Sequence, residues 1–230
     1  MIGALGDIHG DFASVRGIQA RHPEIDAWLC VGDVADEAGR YEALPAPVHF
    51  IKGNNDGYDA IAGGALPDNL HAIDNGRLTV VAALRVAGLG GTFAPTWYDT
   101  PARDLPHPVK GTMKATVQAD RRRHFVREEV EACQAMRDVD VFLTHEAPRP
   151  YFVGGRDGRR GLDAGKTPIN EVLAAMQPRL HLFGHHHRFT EQTRQGVRSV
   201  GLDLASHSYL VIDPARLTYI VHAVDKDSHP

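Results

Sequence analysis

The chain has 230 residues, 43% of them apolar and 23% charged, with a formal net charge of -4 at pH 7. That length and balance suit one globular domain with a sizeable core, and the acidic balance excludes a surface that captures long nucleic acid by charge alone. No run approaches the ~18 consecutive apolar residues of a membrane-spanning helix, so no membrane span is expected.

The two cysteines, Cys30 and Cys133, form no CxxC pair and no framework. Buried, reduced thiols in a cytoplasmic setting are the natural reading. The N-terminal stretch MIGALGDIHGD has no basic start and no long apolar run, so a secretory leader is not expected.

In chain order, residues 1–5 form a short apolar run closed by Gly6. Residues 12–20 have mixed helical character and stop before His22-Pro23. Further apolar runs at 27–31 and 48–51 end at Gly32 and Gly53. Such runs, separated by polar helical stretches, predict buried parallel strands joined by crossovers. More strand signal lies at 78–81 and 84–87, before the glycine-rich turn 88–91. Residues 92–111 carry four prolines and predict an irregular excursion. A helix is expected next, with Phe125, Val126, Val130, Cys133 and Met136 on one stripe facing the core. Residues 140–143 read as a strand, and 148–165 as a loop rich in Gly and Arg. Thr167 is the expected N-cap of a helix with Pro168 at its first position and Ile169, Val172, Leu173 and Met176 on its buried face. Strands are expected at 180–183, 198–202, 207–212 and 217–224, with 225–230 as a frayed tail. Nothing marks a domain boundary, so residues 1–230 read as a single domain.

The chemistry-bearing residues recur at one kind of place. Asp7 and His9 follow the first strand, Asp33 and Asp36 the second, and Asn54, Asn55 and Asp56 the third. His145 follows the strand at 140–143, and His185 and His187 follow the strand at 180–183. In open α/β sheets the carboxyl ends of strands form the ligand crevice, so these segments are placed to converge. Carboxylate, amide and imidazole without thiolate suit Mn, Fe, Zn, Ni or Co better than Ca or Cu(I). Seven of these residues, Asp7, His9, Asp33, Asn54, His145, His185 and His187, exceed the roughly three protein ligands of one catalytic zinc and suit two ions sharing a carboxylate.

Gly6-Asp7-Ile8-His9-Gly10, Gly32-Asp33, Gly53-Asn54-Asn55-Asp56, Thr144-His145 and Gly184-His185-His186-His187 resemble the signature motifs of calcineurin-like metallophosphoesterases. The motifs stand in that family's order. The resemblance implies a four-layer αββα sandwich with two mixed β-sheets. It implies that Asp7, His9 and His187 hold one metal, that Asn54, His145 and His185 hold the other, and that Asp33 bridges them. Two divalent transition ions, Mn first among them, would clamp a phosphate and activate water for in-line hydrolysis of a phosphomonoester or phosphodiester.

One position departs from the pattern. Many relatives carry a histidine, acting as general acid, where this chain has Asn55. An amide donates a hydrogen bond but no proton, so Asn55 and Asp56 are the candidate catalytic residues with that role altered. A non-catalytic metal-binding or scaffold protein on the same fold is the competing reading.

Arg121 to Arg123 form a basic run expected to lie in a helix, with a solvated face as the first reading and contact of Arg122 or Arg123 with a substrate phosphate as the alternative. Arg156, Arg159 and Arg160 in the glycine-rich loop are further candidates for substrate binding. Asp11 and Asp56 are candidates to steady a ligand. His186 is expected to point away from the metals. The implied partner is a small phosphorylated substrate or nucleotide; a protein partner is not readable.

Overall fold

The computed structural model describes residues 1–107, 119–154 and 161–224. Sixteen strands occur among them: β1 (Ile2–Leu5), β2 (Trp28–Cys30), β3 (Val48–Phe50), β4 (Leu70–Ala72), β5 (Leu78–Val81), β6 (Leu84–Leu89), β7 (Thr92–Phe93), β8 (His124–Phe125), β9 (Val141–Thr144), β10 (Phe152–Val153), β11 (Leu162–Asp163), β12 (Leu180–Phe183), β13 (Thr190–Arg194), β14 (Val197–Gly201), β15 (Ser208–Ile212) and β16 (Tyr219–Ala223). The helices are α1 (Phe12–Arg21), α2 (Tyr58–Ala62), α3 (Arg127–Gln134) and α4 (Thr167–Met176).

Two six-stranded mixed sheets dominate, ordered β16-β15-β1-β2-β3-β4 and β13-β14-β12-β9-β6-β5. In the first, β1 to β4 run parallel and β15 is antiparallel to β1. In the second, β14, β12, β9 and β6 run parallel between antiparallel edges β13 and β5.

The period-2 alternation of strand side chains explains the layers. Leu29, Val31 and Ile51 of the first sheet meet Val86, Val141, Leu143 and Leu182 of the second in a shared core. The opposite face of the first sheet packs Trp28, Cys30, Val48 and Phe50 against Phe12, Val15 and Ile18 of α1. The opposite face of the second packs Ala87, Leu89 and Phe142 against Val130 and Cys133 of α3 and Ile169, Val172 and Leu173 of α4. Helix, sheet, sheet and helix make the expected four-layer αββα sandwich. Both cysteines are free and buried.

Three expectations need correction. The helix expected around 121–136 begins only at Arg127; Arg121–Arg123 form a single 3₁₀ turn and Phe125 lies in β8, paired with β7. The stripe is core nonetheless, because Phe125 packs on the same cluster as Val130 and Cys133. At α4 the N-cap is Lys166 rather than Thr167, one residue earlier than expected. The polar edge strand β13, the short β4 and the short helix α2 carry too little hydrophobic period to be read from sequence. The expected tail at 225–230 lies outside the described residues.

Candidate metal centre

Parallel pairing places the carboxyl ends of β1, β2 and β3 at one edge of the first sheet, and those of β9 and β12 at one edge of the second. Asp7, Asp33, Asn54, His145 and His185 lie within a few residues of those five ends. The turns there are tight. His9, Asp33, His185 and His187 have φ of 49°, 50°, 69° and 47°, a region that costs a non-glycine residue about 1–3 kcal/mol. Gly32, at φ 107°, leaves room for its neighbours: a Cβ there would lie 2.8 Å from the Gly53 nitrogen and 2.8 Å from His145 Nδ1. A Cβ on Gly53 would sit 2.0 Å from Asp33 Oδ1. These glycines let the three loops close on one another.

Two groups of ligand atoms result, Asp7/His9/His187 and Asp7/Asp33/His145, each with its atoms within 4.8 Å of one another. His187 Nε2 lies 3.0 Å from Asp7 Oδ2 and 3.2 Å from His9 Nε2. His145 Nε2 lies 2.9 Å from Asn54 Oδ1. Ligands sharing one ion at bonds of ~2.1 Å stand about 3 Å apart, so the donor set and its spacing fit metal ions. Asp33 Oδ2 is 3.7 Å from His9 Nε2 and 3.7 Å from His145 Nε2, between the two groups. The His185 ring lies 4.9 Å from that of His145, and its backbone N–H donates to the Asp7 carboxylate.

The electrostatics follow from burial and charge. Burial pushes the Asp33 carboxyl up, but His145 and two Asn55 donors more than offset it and hold it below its usual value. Burial alone would depress His145; Asp33 and Asp7 reverse that and raise it. The hydrogen bond to Asp7 raises His187. Burial and the neighbouring His145 push His185 down to about 3. The Val31 carbonyl accepts from His145 Nδ1–H at 2.8 Å, which fixes the tautomer and leaves Nε2 facing the site.

The family model for calcineurin-like phosphoesterases matches residues 1–189. The chain belongs to this family. It is therefore a metallophosphoesterase, a hydrolase whose fold and two candidate ligand groups support metal-dependent phosphoester chemistry. No curated protein matches it. One solved structure superposes with TM-score 0.66 at 12% identity, covering 97% of this chain and 98% of its own. Protein TT1561 of Thermus thermophilus superposes with TM-score 0.64 at 16% identity, with the same coverages of 97% and 98%. A putative 5'-nucleotidase from Staphylococcus aureus, in complex with alpha-ketoglutarate, superposes with TM-score 0.52 at 11% identity, covering 100% of this chain and 55% of that one. Likeness at these identities concerns the fold alone.

The remaining sequence candidates of this metallophosphoesterase fall into distinct places. Asp56 is fully buried, and its carboxylate accepts from the backbone N–H of Gly53, Asp33, Val34 and Ala35 and from the Tyr41 hydroxyl. It ties the loop after β2 to the loop after β3. Asp11 is the N-cap of α1, accepting from Ser14 N–H at 3.1 Å. His186 turns aside and stacks on Tyr151, with ring centroids 4.5 Å apart. Arg122 donates to Asp120 and Asp59 and covers Tyr58. Arg156, Arg159 and Arg160 lie outside the described residues. Among the described residues, no helix is long and apolar enough to cross a membrane.

Sequence reasoning passed over Glu146 and Lys166. Buried Glu146 accepts from Phe93 N–H and pairs with Lys166 at 3.2 Å. It thereby joins His145 to the excursion after β6 and to the start of α4. The signal for it was slight: a charged residue directly after a buried strand and its candidate ligand histidine.

Proposed function

We propose that this chain hydrolyses a phosphomonoester or phosphodiester of a small phosphorylated molecule, nucleotides included, with two divalent transition ions at this centre. Asp7, His9 and His187 would hold one ion, Asn54, His145 and His185 the other, and Asp33 would span both. The observation that carries this reading is the position of Asp33 Oδ2, equally 3.7 Å from a histidine nitrogen of each group. Bound ions at such a site act as Lewis acids and bring water to a reactive state near neutral pH. Oxygen and imidazole donors without thiolate suit Mn, Fe, Zn, Ni or Co, of which manganese is the one tested first.

The chain's own residues do the rest. Buried Asp56 fixes the backbone of both ligand loops, so the donors are arranged before an ion arrives. His145 keeps one tautomer through Val31. Asn55 supplies no proton, which favours substrates whose leaving group departs as a stable anion. The domain is taken as residues 1–230, and the buried free thiols of Cys30 and Cys133 fit a reducing cytoplasm.

The test is metal content and hydrolysis together. Full-length protein reconstituted with manganese is assayed on p-nitrophenyl phosphate, bis-p-nitrophenyl phosphate and nucleotides. Two ions per chain and turnover of at least one ester are expected. One ion per chain at saturation would overturn the paired centre.

A further inference from the structure

The loop Gly53-Asn54-Asn55-Asp56 spends its four residues differently. Asn54 Oδ1 faces His145 Nε2. Asp56 turns inward and accepts from the backbone N–H of Gly53 and of Asp33, so the two backbones are held together through one carboxylate. Gly53 passes so close to Asp33 that any side chain would collide with Oδ1. Against that fixed frame, Asn55 makes two hydrogen bonds to a single partner. Its backbone N–H donates to Asp33 Oδ1 at 2.7 Å, and its side-chain amide donates to Asp33 Oδ2 at 2.9 Å.

From this geometry we infer that Asn55 is a positioning residue, a two-point clamp that sets the rotation of the Asp33 carboxylate so that it can face both ions at once. The inference rests on the proposed spanning role of Asp33. A carboxylate oxygen has two lone pairs. The backbone donor takes one pair of Oδ1 and the amide one pair of Oδ2, so each oxygen keeps a second pair that neither donor uses. Two donors at both ends of the carboxylate also fix its plane, because rotation about the last side-chain bond would break both hydrogen bonds. Asp33 is 1% exposed, so water is poorly placed to substitute. One N–H of the amide is thus committed to the Asp33 carboxylate, which gives Asn55 a role besides donation to a departing oxygen.

The experiment compares full-length wild type with Asn55→Ala, which keeps the backbone donor and removes the amide, and Asn55→Leu, which keeps the volume and also lacks the amide. Mn2+ affinity and stoichiometry are measured by calorimetry on metal-stripped protein, alongside melting of the metal-free form. Both variants should bind manganese about 10–100-fold more weakly, the usual cost of losing a group that orients a ligand. Their metal-free melting should fall by the same modest amount in both, the cost of one lost buried hydrogen bond, and activity should largely return at saturating manganese. Unchanged affinity in Asn55→Ala would overturn the clamp, as would affinity restored by the leucine, which would make volume the cause. A failure of the paired centre itself reads out separately, as wild type that takes up fewer than two ions or Asp33→Asn that still takes up two.

Discussion

The two halves of the centre are built to different standards. His145 and Asp33 have side chains 0% and 2% exposed, held by Val31, Asn55 and, through the Asp33 backbone, Asp56. His9 and His187, on the other side, are 35% and 41% exposed. Low dielectric and fixed donors make the inner half a prearranged site, and solvent screens the outer one. The inner ion is therefore expected to be held tightly and the outer ion to exchange. Asp7, buried and common to both ligand groups, and Asp33, lying between them, are where the two halves meet.

Asp33→Asn strikes at that junction and is the strongest way to break the comparison. It removes the shared charge and should lower kcat/KM by more than the ~100-fold that loss of an orienting group costs, with both ions bound weakly in a metal titration. Near-normal turnover and two tight ions would end the paired model. Next in size is the leaving-group effect. A general acid contributes roughly 10²–10⁴-fold, and Asn55 supplies none, so p-nitrophenyl phosphate should be cleaved on the order of 10²-fold or more faster than an alkyl phosphate. A flat dependence of rate on leaving-group pKa would show that another group donates the proton.

A smaller effect separates the halves. His187→Ala should weaken one ion and leave the other near wild-type affinity. His145→Ala should weaken the inner ion and also cost stability, since a fully buried ring that donates to the Val31 carbonyl is lost. Equal losses of metal from both variants, with equal melting, would erase the distinction between inner and outer sites.

Why the candidate ligands were legible and their supports were not has a physical reason. Asp7, Asp33, Asn54, His145, His185 and His187 each follow an apolar run at a glycine or a strand end, and that pattern is local. The network behind them is not. Asp56 reaches back 23 positions to Asp33, and Glu146 meets Phe93 and Lys166 only because β6, β9 and α4 are neighbours in space. The start of α3 was misread for a related reason. Phe125 and Val126 share helical spacing with Val130 and Cys133, yet pairing with β7 holds Phe125 extended. Tertiary pairing outranks a local stripe when both bury the same side chains. Short apolar runs separated by helical stretches made the parallel strands and their crossovers legible, whereas the four-layer arrangement was legible only through the family resemblance of the motifs.

His181 sharpens the inner half by contrast and carries the smallest effect. Like His145 it is 0% exposed, on the neighbouring parallel strand β12. It sits between the Thr144 and Ser199 hydroxyls and stacks on Phe142 and Phe183. Burial alone governs it and lowers it from 6.5 to about 3, whereas nearby carboxylates raise His145. The unfolded chain takes up this proton near 6.5, and the folded chain waits until about 3. Stability from this group is thus complete above pH 6.5 and falls as the pH drops toward 3, by at most about 1.4 kcal/mol per unit. His181→Gln, compared with wild type in chelator by denaturant unfolding, should flatten the acid limb between pH 6 and 4 by about one proton's worth of slope. Parallel curves for the two proteins over that range would mean that His181 is already protonated in the fold, and that burial does not by itself set the behaviour of histidines in this sheet.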